Sequence, residues 1–163
     1  PGNVLAQEVP RWNVENVRGD VLVTTISTTS IAGDWCGIEP AILSLRCDDA
    51  QLSLRIESNC KPYVLEDENV TIRFNFGVGF QRTRPFEVLP DQKTLVLSQP
   101  FQDDKVFNSS FSLSSFGPPM RSRVTVSLPE LNRPDRDIIF DFRGMDDAVK
   151  TSGMQCGTQS LFD

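Results

Sequence analysis

Ala41-Ile42-Leu43-Ser44-Leu45-Arg46-Cys47-Asp48-Asp49-Ala50-Gln51-Leu52-Ser53-Leu54-Arg55-Ile56 reads as two strands and the turn between them. Leu43, Leu45 and Cys47 share one face of the first strand. Leu52, Leu54 and Ile56 share one face of the second. Asp48 to Gln51 form the turn, where aspartate can bond its neighbouring backbone. If Cys47 stands opposite Leu52, then Leu45 meets Leu54 and Leu43 meets Ile56. In that register all six side chains face one core.

The same period of two recurs along the chain. Val70, Ile72, Phe74, Phe76, Val78 and Phe80 alternate with Thr71, Arg73, Asn75, Gly77 and Gly79. This is one half-buried strand, or two strands meeting near the glycines. Gly77 and Gly79 suggest a bulge or a close approach of backbone. Asp20 to Thr29 is β-branched and reads as a strand. Phe86-Glu87-Val88 and Leu95-Val96-Leu97 flank the turn-rich residues Leu89 to Lys93 and predict a hairpin. Val124, Val126 and Leu128 share a face, as do Ile138, Phe140 and Phe142. Asn108 to Ser122 is rich in serine, with Gly117-Pro118-Pro119, and reads as a long loop or an edge strand followed by a turn. Gly144 to Gly153 has Asp146 and Asp147 at its start and glycine at its end, the pattern of a short helix. The expectation is an all-β fold: an antiparallel β-sandwich with a short C-terminal helix. At 163 residues one domain spanning 1–163 is expected, with residues 1–18 as an extended N-terminal segment.

Four cysteines occur in a chain with no histidine. An even count in a small acidic chain predicts two disulfides and an oxidising compartment. Extending the ladder outward from the 41–56 hairpin brings Cys36 and Cys60 together at its open end. Cys47 then remains for Cys156, after the terminal helix. That bond would close a long loop and contribute about 4–5 kcal/mol in the chain-entropy model. Four cysteines allow two other connectivities, and both stay open. Metal binding is disfavoured, because the cysteines are 11, 13 and 96 residues apart, without paired knuckles. Val4-Leu5-Ala6 has the small-residue ending of a signal cleavage site, without the charged and apolar regions that precede one. The expectation is an exported chain, periplasmic or extracellular.

A net charge of −6 argues against nucleic acid, whose phosphates need a basic surface. No stretch approaches the ~20 apolar residues of a membrane helix, so no membrane insertion is expected. Without histidine there is no Ser-His-Asp triad and no Cys-His pair. Serine lacks a Gly-x-Ser-x-Gly elbow or a Ser-x-x-Lys motif; Lys150 lies near Ser152 but reads as solvated. Carboxylates pair at Asp48/Asp49, Glu66/Asp67/Glu68, Asp103/Asp104 and Asp146/Asp147. Such pairs can run glycoside hydrolysis or bind calcium, yet most fall in turns and none has EF-hand spacing. Phe outnumbers Trp and Tyr, 11 to 2 and 1, which suits a core better than a sugar-stacking face. Trp35 beside Cys36 suits packing on a disulfide. Asn69-Val70-Thr71 and Asn108-Ser109-Ser110 fit the glycosylation sequon. The reading is a non-enzyme without a cofactor or a metal.

The binding candidate is the segment around Phe111, Phe116, Pro118, Pro119, Met120 and Arg121. Apolar residues in a Ser/Gly/Pro-rich connection can form an exposed interaction patch. The competing reading places the phenylalanines on an edge strand, facing inward. Pro129 to Asp137, with Arg133 and Arg136 among acids, reads as a solvated loop.

The order of features carries a resemblance. Leu43-Ser44-Leu45-Arg46-Cys47 precedes Gln51-Leu52-Ser53-Leu54, then Val70-Thr71-Ile72-Arg73-Phe74, and then Phe86-Glu87-Val88 and Leu95-Val96-Leu97. Phe140-Asp141-Phe142-Arg143-Gly144-Met145-Asp146-Asp147-Ala148-Val149 follows, and finally Cys156. This resembles the small exported VasI-type proteins associated with type VI secretion, over about Ala41 to Cys156. Trp35-Cys36 and Cys60 have no counterpart in that pattern. The resemblance implies that Cys47 and Cys156 are the matching pair. It also implies an exported accessory or binding protein with no catalytic residues. The leading expectation is therefore a non-catalytic, exported protein-interaction or assembly module with a protein partner. The alternatives are an inhibitor or immunity-type protein that blocks an exported enzyme, and a structural subunit of a virion or surface appendage.

Overall fold

The hairpin at residues 40–57 folds in the register that buries its apolar faces. Cys47 pairs with Leu52, Leu45 with Leu54 and Leu43 with Ile56. Leu43, Leu45, Leu52, Leu54 and Ile56 are fully buried, and Cys47 packs against them half-buried. A slip of one residue would turn all of them to solvent. In this computed structural model the described residues are 12–17, 20–30, 40–48, 51–59, 69–77, 79–115, 123–145 and 148.

Among the described residues nine strands follow the chain: β1 (Asn13–Val17), β2 (Asp20–Ser30), β3 (Pro40–Asp48), β4 (Gln51–Glu57), β5 (Val70–Asn75), β6 (Gln81–Val88), β7 (Thr94–Leu97), β8 (Arg123–Glu130) and β9 (Arg133–Asp141). They form one antiparallel sheet in the order β1-β2-β3-β4-β7-β6-β5-β8-β9. β7 joins the two halves by three residue pairs to β4 and three to β6. β1 covers only the first five residues of β2. β2 also lies against β9, so the sheet curls until its ends approach each other. The expected all-β antiparallel character is what the structure shows, in the form of one curled sheet. Residues 129–137, expected as a solvated loop, belong mostly to the β8–β9 hairpin, whose turn is Leu131-Asn132.

Val70 to Phe80 is one strand, β5, followed by the turn at the glycines, and β6 begins only at Gln81. Phe76 donates its N–H to Phe80 O at 2.8 Å, and Phe80 donates to Gly77 O at 2.9 Å. Gly77 has φ +96° and Gly79 φ +74°, and a Cβ at either would meet nothing within 4 Å. The glycines supply a left-handed backbone, in place of the bulge or close approach expected from the sequence. The β6–β7 hairpin also forms as expected, with Phe86 opposite Leu97 and Val88 opposite Leu95. Asp91 closes its turn, accepting from the backbone N–H of Lys93 at 2.8 Å and of Thr94 at 2.9 Å.

Residues 108–122 do not begin as a loop or an edge strand. Lys105–Ser115 is a helix, α1, preceded by a 3₁₀ turn at Phe101–Asp103. Phe107 and Phe111 lie four apart, on one helical face, and both are fully buried. That periodicity outweighs the serine content, because burying two phenylalanines stabilises by more than serine's modest helix penalty costs. Phe111 therefore belongs to the core and to no exposed patch. Near the C-terminus Ala148 donates its N–H to Gly144 O at 2.9 Å, a helical bond at the start of the expected terminal helix. The rest of that helix lies outside the described residues.

Candidate functional site

A constellation of polar groups surrounds the start of α1. Asp104 occupies the N-cap position. Its Oδ1 accepts from the Phe107 N–H at 3.1 Å, and its carbonyl accepts from the Asn108 N–H at 2.9 Å. Arg84 of β6 grips the same carboxylate with two donors, Nε on Oδ2 and Nη2 on Oδ1, the latter at 3.3 Å. The guanidinium also lies over the Phe107 ring, 5.3 Å from its centre. Burial pushes the Asp104 carboxyl up, but the Arg84 bond, the Phe107 N–H and the Arg84 charge together hold it below the ordinary value. A general acid needs the opposite shift, so Asp104 suits a structural clamp.

Beneath the clamp the curled sheet is filled with rings. Phe111 stands 4.6 Å from Phe142, 5.0 Å from Phe107 and 5.1 Å from Phe76, centre to centre. Phe74 meets Phe107 edge-on at 4.8 Å. These separations and tilts suit the ring quadrupoles. The helix fills the space that a ligand-binding barrel would leave open.

A second clamp lies where β9 ends. Asp141 is almost fully buried and accepts from Arg143 Nη2 at 2.7 Å and from the Arg143 N–H at 3.1 Å. The bond to Asp141, with its charge, raises the Arg143 guanidinium further, against burial. The Arg143 carbonyl accepts from Trp12 Nε1 at 2.9 Å, and the Trp12 ring lies 6.0 Å from Phe142. At the β8–β9 hairpin Arg136 pairs with Glu130, and Ser127 Oγ donates to Asp137 Oδ1 at 2.6 Å. Among the described residues no three His, Cys, Asp or Glu side chains are grouped to hold a metal ion.

The residues singled out by sequence fare unequally. Phe111 is in the core. Phe116, Pro118, Pro119, Met120 and Arg121 lie outside the described residues, as do Cys36, Cys60, Cys156 and the Glu66-Asp67-Glu68 run. Cys47 is on β3, and no cysteine among the described residues is a free thiol. Of the acid pairs, Asp103 and Asp104 are fully described, and they serve the 3₁₀ turn and the α1 cap. The two sequons differ: Asn69 is exposed, whereas Asn108 and Ser110 of α1 are buried.

Arg82 and Arg84 were missed. Their signal was present, because both share parity with Phe86 and Val88 and so fall on the core side of β6. Charges on a core-facing parity need partners, and Arg84 has found Asp104. Arg82 stacks on the Phe80 ring at 4.2 Å and donates Nη1 to Gln81 O at 3.0 Å, while its buried Nε has no acceptor among the described residues. Comparison with known proteins adds no relative: no family model, no curated protein and no solved structure matches the chain.

Proposed function

We propose that the chain is a non-catalytic, exported protein-interaction or accessory module of the VasI type, held by the disulfides Cys36–Cys60 and Cys47–Cys156. The observation that carries this reading is the β3–β4 register. It places Cys47 opposite Leu52, at the turn end of the hairpin and packed on the core, and Cys47 is not a free thiol. Extended outward, that register would bring Cys36 and Cys60 together at the open end of the hairpin. The finer architecture belongs to the same reading: the β1–β4 half and the β5–β9 half form the two layers of a sandwich, with β2 against β9 as their junction. Since α1 fills the interior, recognition takes place on the outside of the sheet and in its loops.

Non-reducing peptide mass mapping with size-exclusion chromatography on one sample tests the proposal. Cys36–Cys60 and Cys47–Cys156 in a monomer support it. Free thiols remove the argument for export. A large homo-oligomer shifts the weight to a structural subunit.

A further inference from the structure

We infer that Asn69 is an N-glycosylation site, and that of the sequons Asn69-Val70-Thr71 and Asn108-Ser109-Ser110 it alone carries a glycan in the folded chain. The inference rests on the proposed export, because the glycan is transferred on the far side of a membrane. Asn69 immediately precedes β5, and Val70 and Thr71 are the first residues of that strand. Asn69 and Thr71 are exposed, while Val70 is buried in the core. In an extended chain residues i and i+2 share a face and lie roughly 6.6 Å apart. Val70 thus anchors the sequon, and its carboxamide and hydroxyl stand together on the outside of the sheet. Thr71 pairs with Pro85 of β6, which is exposed as well. β8 pairs with β5 only from Arg73 to Asn75, so that ladder stops short of the sequon.

Asn108-Ser109-Ser110 has the same motif in the opposite setting. It lies within α1, where residues two apart are separated by about 200° around the axis. Asn108 and Ser110 are both buried. The Asn108 N–H donates to Asp104 O, and Ser110 Oγ donates to Val106 O at 2.9 Å. A bulky, hydrated glycan on Asn108 would force α1 off the sheet, whereas on Asn69 it displaces nothing from the core. The donor is a lipid-pyrophosphate-linked oligosaccharide of the membrane crossed during export. A bond forms from Asn69 Nδ2 to C1 of the first sugar as the C1–O bond to the pyrophosphate breaks. The carboxamide gives up one proton, and the lipid pyrophosphate leaves with the bonding pair.

The test secretes the full chain, behind an added signal peptide, from cells that contain an oligosaccharyltransferase. The signal supplies export, so a negative result reads on the site, and thiol mapping of the chain reads separately on export. The expected product is a folded chain with one glycan, which peptide N-glycosidase removes with deamidation of Asn69 in the peptide map. Thr71→Ala should lose the glycan, and Thr71→Ser, which restores the hydroxyl, should keep it. Both variants should unfold at the temperature of the parent after deglycosylation, because Thr71 is exposed. Three results overturn the inference. The secreted chain carries no glycan. The glycan maps to Asn108. Glycan on Asn69 occurs only in chains that lack the folded circular dichroism spectrum, which makes the modified site incompatible with the fold.

Discussion

Asp104 satisfies three demands with one side chain: it caps α1, neutralises Arg84 and fixes where Phe107 enters the core. Asp104→Ala removes a cap and leaves a largely buried arginine without its acid. The expected loss is about 2 kcal/mol in urea unfolding. Asp104→Asn keeps a capping oxygen and should lose less. The sign with pH follows from the depressed carboxyl. Its contribution is complete above the ordinary carboxylate value of 3.8 and disappears as pH falls through the lower folded value. Asp91 is depressed as well, first by the Thr94 hydroxyl and then by the Lys93 and Thr94 N–H groups, so it acts in the same direction. Unfolding followed from pH 5 to pH 2 should be less steep for Asp104→Asn than for the parent, and equal slopes would remove the clamp from the acid response. Phe111→Ala is the sharper test of how the serine-rich segment is used. A buried ring among five others predicts a loss of about 4 kcal/mol. A residue of an exposed patch would lose almost none.

At the scale of elements, hairpins were readable and the long helix was not. β3–β4 and β6–β7 have local partners, so alternation and turn residues fix both strands and register together. The β5–β6 turn was readable to within its glycines, and it yields a prediction. Gly79 has φ +74° and open space around its missing Cβ, so only backbone conformation opposes a side chain there. Gly79→Asn should cost less than about 1 kcal/mol, because asparagine tolerates this region, and Gly79→Val about 2 kcal/mol, because a β-branched residue does not. Equal losses in thermal unfolding would show that the angle is not what the glycine serves. α1 was hidden for a physical reason. Its serine-rich sequence obscures an apolar stripe that rests on two phenylalanines, and its cap, Asp104, looks like one of many turn aspartates. The candidate site was hidden more deeply. Arg82 and Arg84 are distinguished by parity alone, and the partner of Arg84 is 20 residues away in sequence.

The whole molecule depends on how a sheet of nine described strands is kept curled, which no local pattern could announce. The curl needs contacts between the two ends of the chain order, and those are the contacts with the greatest sequence separation. Trp12 supplies one. It precedes β1, donates to the Arg143 carbonyl just after β9 and rests on Phe142. The Arg143 end is held in turn by Asp141, so the clamp at one chain end and the tryptophan at the other act on the same turn. Trp12→Phe keeps the ring and loses the N–H, for an expected cost of about 1 kcal/mol. Trp12→Ala loses both; because the ring is only half-buried, the expected cost is about 2 kcal/mol. The distribution of the effect matters more than its size. If Trp12 holds the ends together, hydrogen exchange in Trp12→Ala should accelerate in β1, β2 and β9 while β5 and β6 stay protected. Uniform acceleration would mean that Trp12 stabilises the fold globally and that the curl is maintained by the aromatic core alone.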